Sequence, residues 1–210
     1  SRQDVKKHWA TIHEHGFDSI FRVDIMDEEG DMQIPVKDST WIKYDIVGNH
    51  LNKYDFCINL AHFKGHVMGG FGGVLKNQSI GFASSAGKGY IHSHGVTSKL
   101  PDAWQHTQPQ DAFLESMAAA AQAIADHFGK GNIVYINVLN NISIDCDCDA
   151  HPHAPEIQDI GIVASTDPIA CDRAAYDLIY QVKKDENNNP DPLKQRIERQ
   201  HGIHIVEHGE

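Results

Sequence analysis

Residues 56–77 read Phe-Cys-Ile-Asn-Leu-Ala-His-Phe-Lys-Gly-His-Val-Met-Gly-Gly-Phe-Gly-Gly-Val-Leu-Lys-Asn, and the chain continues to Lys88 as Gln-Ser-Ile-Gly-Phe-Ala-Ser-Ser-Ala-Gly-Lys. An apolar strand-like run from Phe56 to Leu60 leads into His62, Lys64 and His66. Then come four glycines in five residues (Gly69, Gly70, Gly72, Gly73), followed by Lys76 and Asn77. Glycine permits close backbone approach and left-handed turns. Backbone N–H groups in such a loop, with Lys64, Lys76 and Lys88 nearby, make a candidate anion cradle. The competing reading is a tight structural turn with solvated lysines. A phosphate-binding Walker loop is excluded, because the residue five before Gly87 is Phe82 and Lys88 is followed by Gly89. The dinucleotide fingerprint fails too: after Gly70 and Gly72 its third glycine falls on Leu75.

Working outward, the pattern is α/β: a mixed, largely parallel sheet with helices on its faces. Asp4 to His15 reads as a helix with Val5, Trp9 and Ile12 on one face and Gly16 as its stop. Strands are expected at Phe21–Ile25, Gln33–Val36, Thr40–Val47 and Tyr54–Leu60, with a helical turn over Asn49–Lys53. The Gly-rich stretch then lies at the carboxyl end of a strand, where open α/β sheets bind ligands. Residues 89–110 read as irregular. Asp111 is a candidate N-cap for a helix over Ala112–Phe128 whose stripe is Phe113, Met117, Ala121, Ile124 and Phe128. Ile133–Leu139 reads as a strand, and Asp159–Ala164 as a buried one. Asp167 and Pro168 open a further helix in which Cys171 falls on the apolar face and Asp172 is a first-turn acid. A short helix over Leu193–Gln200 and an edge strand over Ile203–Val206 complete the expectation of one domain spanning residues 1–210.

Composition narrows the function classes. The formal net charge is −11, which disfavours a general nucleic-acid binder. No apolar run approaches a membrane span, and no signal-like stretch opens the sequence. Four cysteines, two of them one residue apart, do not make a secreted disulfide framework, so a reducing cytoplasm is expected. Fifteen histidines are unusual for this length.

The second unusual patch is Asp145-Cys-Asp-Cys-Asp-Ala-His-Pro-His153. Cys146 and Cys148 suit zinc, iron or nickel. One Cys-x-Cys pair does not close a tetrahedron alone, so His62, His66, His92 and His94 are the candidate further ligands. The alternative is an exposed acidic loop. No ferredoxin-type run of cysteines is present, so a [4Fe–4S] cluster is not expected. Proton transfer is the other option, with His62 or His66 as carrier and Lys76 beside it.

Taken together, His62-Phe-Lys-Gly-His66, Gly-Phe-Gly-Gly-Val-Leu-Lys76-Asn77, Ala-Gly87-Lys88, Asp145-Cys-Asp-Cys148 and Asp159-Ile-Gly-Ile-Val-Ala-Ser-Thr-Asp167-Pro-Ile-Ala resemble the family called domain of unknown function 362. The likeness runs from about Arg2 onward. Relatives are often described as iron–sulfur-centre or ferredoxin-like proteins. Many carry a cysteine segment where this sequence, over residues 89–110, has histidines and prolines. Relatives also usually have an N-terminal portion before the position matching Arg2. The resemblance therefore implies a chain lacking that part, with an open edge or apolar face and a homo-oligomer as the expected state. At the level of one loop, the Gly-Phe-Gly-Gly…Lys stretch is similar to the cofactor-binding loop of lactate racemase.

Three functions follow as expectations. The first is a metal- or cofactor-binding protein, redox-linked, with an anion-binding Gly-rich loop beside a Cys/His cluster. The second is an acid–base enzyme acting on a small anionic substrate. The third is a non-catalytic oligomeric assembly subunit.

Overall fold

The computed structural model describes residues 4–147, 151, 154–155, 157–182 and 192–199. Its elements are α1 (Val5–Glu14), β1 (Asp31–Pro35), β2 (Tyr44–Gly48), β3 (Cys57–His62), β4 (Lys64–His66), β5 (Gly70–Gly72), α2 (Val74–Phe82), α3 (Ser85–His92), α4 (Leu100–Ala103), α5 (Gln110–Phe128), β6 (Ile133–Leu139), β7 (Gly161–Ser165), α6 (Pro168–Gln181) and α7 (Pro192–Arg199). The class is α/β. The main sheet is ordered β3-β6-β7 and is mixed, with β3 parallel and β7 antiparallel to β6. Parallel pairing is less extensive than the sequence suggested: β1–β2 and β4–β5 are both antiparallel pairs.

Strand β6 alternates in burial, although its sequence is apolar on both sides. Ile133, Tyr135, Asn137 and Leu139 are buried, and the residues between them are partly exposed. Helices α2 and α6 pack on the buried face, and α5 packs behind α2. Helix α5 carries Phe113, Met117, Ile124 and Phe128 into the core. Gly129, at φ 78°, then lets the chain turn away. The opposite face of the sheet is uncovered by any described helix. Ile58, Leu60 and Ile162 are 64%, 60% and 71% exposed. Strand β7 is therefore an exposed edge rather than the buried strand expected at Asp159–Ala164.

Several other expectations shift for physical reasons. Phe21–Ile25 forms no strand, and Phe21 lies exposed beyond a turn of 3-10 helix. Asp111 does not cap α5, because the helix starts two residues earlier, at Gln110, with Pro109 in the cap position. The 89–110 segment is not wholly irregular: α3 runs on to His92, and α4 forms after Lys99. The Gly-rich stretch is not a loop. It is a β4–β5 hairpin followed at once by α2, so Lys76, Asn77 and Lys88 sit on helices. The edge strand expected over Ile203–Val206 lies outside the described residues.

A polar seam runs between the sheet and its helices. Asn59 donates to the carbonyl of Val74 (2.9 Å) and accepts from Asn77 (2.7 Å). Gln78 reaches the carbonyl of Ala121 (2.6 Å). Asp172, fully buried on α6, accepts from the backbone N–H groups of Val74 (2.7 Å) and Leu75 (3.0 Å) and from the Asn137 amide (2.7 Å). Gly73, the N-cap of α2, has no side chain to cap the helix, and Asp172 supplies that carboxylate from elsewhere in the chain. A Cβ on Gly73 would lie 2.1 Å from the Asp172 oxygen, so glycine is required here by close approach.

Candidate anion-binding site

Beyond the carboxyl ends of β3 and β6, four segments converge: the β4–β5 hairpin, the first turn of α2, residues 140–147 and α7. Helix α7 packs against the hairpin, with Leu193 and Ile197 buried. Lys64 projects from β4 and Lys76 from α2 on either side of Gly72. A Cβ there would be 3.6 Å from both the Lys64 Cε and the Lys76 Cδ. Glycine at this position keeps the space between the two lysine stems clear. Arg196 comes from α7 and pairs with Asp145 at 3.0 Å, both side chains largely buried.

His66 is buried among these cations. Its Nδ1 accepts from the backbone N–H groups of Met68 (3.2 Å) and Gly69 (2.9 Å), which places the ring proton on Nε2. Burial, together with the charges of Lys76, Lys64 and Arg196 and with His92, pushes its pKa down to about 3. His66 is therefore a neutral N–H donor, not the proton carrier expected for neutral pH. His92 is likewise held below the usual histidine range, first by burial. Its Nδ1 donates to the Lys88 carbonyl (2.6 Å), and its ring packs against Phe113 and Trp104. Lys88 thus borders the cluster through His92.

His62 differs from His66. Its Nδ1 meets the Asp147 carboxylate at 2.8 Å and its Nε2 the Asn140 carbonyl at 2.6 Å. Lys64 shares the Asp147 oxygen at 3.1 Å. Burial raises the Asp147 pKa, but the His62 hydrogen bond and the Lys64 charge outweigh it, so the carboxylate stays below its ordinary range. Lys76 meets only the Cys146 thiol, at 3.7 Å, and no carboxylate among the described residues. The Nε–H of Arg196 is buried without an acceptor among the described residues.

Among the described residues the expected ligands are not grouped around one point. Both nitrogens of His62 are occupied, Nδ1 of His66 is occupied, and Cys148 lies outside the described residues. Among the described residues no group of three or more His, Cys, Asp or Glu side chains is placed to hold a metal ion. The backbone part of the expected cradle is also committed elsewhere. Gly70 and Gly72 lie in β5, and the first N–H groups of α2, next to Gly73, already bind Asp172. Gly69 offers its N–H to His66, and Asn77 spends its amide on Asn59 and the Leu60 carbonyl. What remains is a side-chain cluster of Lys64, Lys76, Arg196 and His66. An open groove of about 590 Å³ exists elsewhere, between Asp27–Asp31 and Ser98–Asp102, and has none of these residues in its lining.

Two contributors escaped the sequence reading. Arg196 sits in a short polar helix with nothing to mark it. Asp172 reads as an ordinary first-turn acid, although its partners lie 97 and 98 residues away. No described helix is long and apolar enough to cross a membrane.

No curated protein and no solved structure gives a significant match to the chain. One family model, described as a domain of unknown function (DUF362), matches residues 2–177. The match takes in β3, the hairpin, α2, the 140–147 segment and most of α6, and stops short of α7 and Arg196. The chain belongs to the DUF362 family.

Proposed function

We propose that the chain binds a small anionic ligand, or the anionic part of a cofactor, between Lys64, Lys76, Arg196 and His66. The observation that carries this reading is Lys76. Among the described residues its ammonium has only a thiol partner, and Arg196, whose charge like that of Lys76 acts on His66, has a buried Nε–H with no acceptor among them. Unmet buried donors are costly, and an oxyanion supplies the missing acceptors. His66 adds a donor that stays neutral, so it polarises the ligand without contributing a proton. The position, outside the carboxyl ends of parallel strands, is the usual ligand side of an α/β sheet.

The test is isothermal titration with inorganic phosphate and with sulfate. Binding of either should weaken by about tenfold or more in Lys76→Ala, the loss expected for one charge-assisted contact. Unchanged affinity in that variant removes the proposal. An acid–base reaction at this site has less support, because the one histidine deep among the cations does not titrate near neutrality.

A further inference from the structure

We infer that Asp172, which lies behind the site, is a positioning residue that sets Lys76 in place for the anion. The inference rests on the anion-binding reading above. Lys76 is the third residue of α2, and a cation in the first turn opposes the helix dipole. Helix α2 has no cap of its own, since its N-cap is Gly73. Asp172 provides one from α6, binding the N–H groups of Val74 and Leu75, the two residues just before Lys76. Asn137 of β6 holds the carboxylate from the other side. The Oδ1 of Asn137 is itself buried without a partner among the described residues, and the Asp172 contact at 2.7 Å is the shortest its amide makes, ahead of the Cys171 carbonyl at 3.5 Å and thiol at 3.6 Å. A single buried carboxylate thus ties α6, the central strand and the start of α2 together, one residue from the lysine.

The groups facing Asp172 are the backbone N–H groups of α2, Asn137 from β6 and Cys171 from its own helix. No charged side chain is among the groups that act on it. Burial raises its pKa to about 6, while the Cys171 thiol lies near 11, so acidification below neutrality protonates Asp172 and leaves Cys171 unchanged. Protonation weakens the cap on α2. The sign of the effect is diagnostic. Protonating a carboxylate at the site itself, such as Asp147, removes negative charge and tightens an anion. Removing the Asp172 charge would do the same through space. Only loss of positioning weakens binding.

The experiment titrates sulfate, which does not change charge in this range, into wild type, Asp172→Asn and Lys76→Ala between pH 7.5 and pH 5. Far-UV circular dichroism is followed in parallel. The expected result is that wild type binds more weakly as pH falls through about 6 with its dichroism unchanged. Asp172→Asn should bind about tenfold more weakly at pH 7.5, a change of about 1.4 kcal/mol, and lose that pH step. Equal or tighter binding by Asp172→Asn overturns the inference, as does wild-type affinity that stays flat or rises on acidification. If Asp172→Asn does not fold, the wild-type profile is compared with that of Asp45→Asn, the other carboxylate raised into this range: a weakening step kept in Asp45→Asn supports the inference, and one lost with it overturns it. Failure of the anion reading looks different: wild type binds no sulfate, or Lys76→Ala binds as well as wild type, and the inference falls with it.

Discussion

The two faces of the β3-β6-β7 sheet reverse the usual arrangement. The covered face hides Asn59, Asn137 and, above them, Asp172. The open face presents Ile58, Leu60 and Ile162. Hydrophobicity alone would assign the faces the other way round. The difference shows what a buried polar group needs. Asp172 is buried with three donors on its two oxygens, so its desolvation is met by hydrogen bonds. The isoleucines on the open face, by contrast, gain little from their sheet partners.

The covered face should therefore be intolerant of change. Asp172→Ala leaves the N–H groups of Val74 and Leu75 and the Asn137 amide without an acceptor. It should cost about 3 kcal/mol in urea denaturation. A loss under about 1 kcal/mol would break the contrast between the faces.

Asp45 sharpens the same point from a carboxylate that lacks such partners. It is fully buried on β2 and, among the described residues, accepts only from the adjacent Ile46 N–H and has one oxygen unpaired. Burial raises its pKa to about 7. A raised carboxylate pKa favours the folded state at low pH, and this contribution is lost as pH rises from about 4 through about 7. Asp45→Asn should accordingly stabilise the chain by about 2 kcal/mol at pH 8, with the gain shrinking toward zero at pH 4. A gain independent of pH would show that desolvation is not the cause.

The smallest effect belongs to the open face. Ile58→Lys and Ile162→Lys should each change stability by no more than about 0.5 kcal/mol. A large loss in either would mean that this face is covered in solution, which denaturation at several protein concentrations would reveal.

Much of the frame was legible because local rules dictate it. The helix after Asp4 does end at Gly16, and β6 runs over Ile133–Leu139, the apolar run read as a strand. Asp167 caps α6 through the N–H groups of Ile169 and Ala170. Cys171 is buried as its position on the apolar face requires. The Gly-rich stretch was read as a loop because its glycines look like conformational freedom. Two of them instead answer close approaches made by distant parts of the chain. Gly73 meets Asp172, and Gly65 meets the Ile144 carbonyl, where a Cβ would come within 2.0 Å. Such reasons are invisible to any local window. For the same reason the sequence points to Lys64, Lys76 and His66 but not to Arg196, whose place depends on how α7 docks. His62 and His66, four residues apart and read as equivalent, diverge because one ends an exposed strand and the other faces inward from the hairpin.

That docking has a consequence for how the protein comes into being. Lys64 and Arg196 are separated by over half the chain, and α7 is the last described element. During synthesis the hairpin and α2 leave the ribosome many seconds before Arg196 is made, at rates of about 5–20 residues per second. In that interval Lys64 and Lys76 stand in a nascent chain with an unfinished wall. The finished cluster forms only after α7 has emerged and docked, so a ligand that needs the arginine meets only chains synthesised past it.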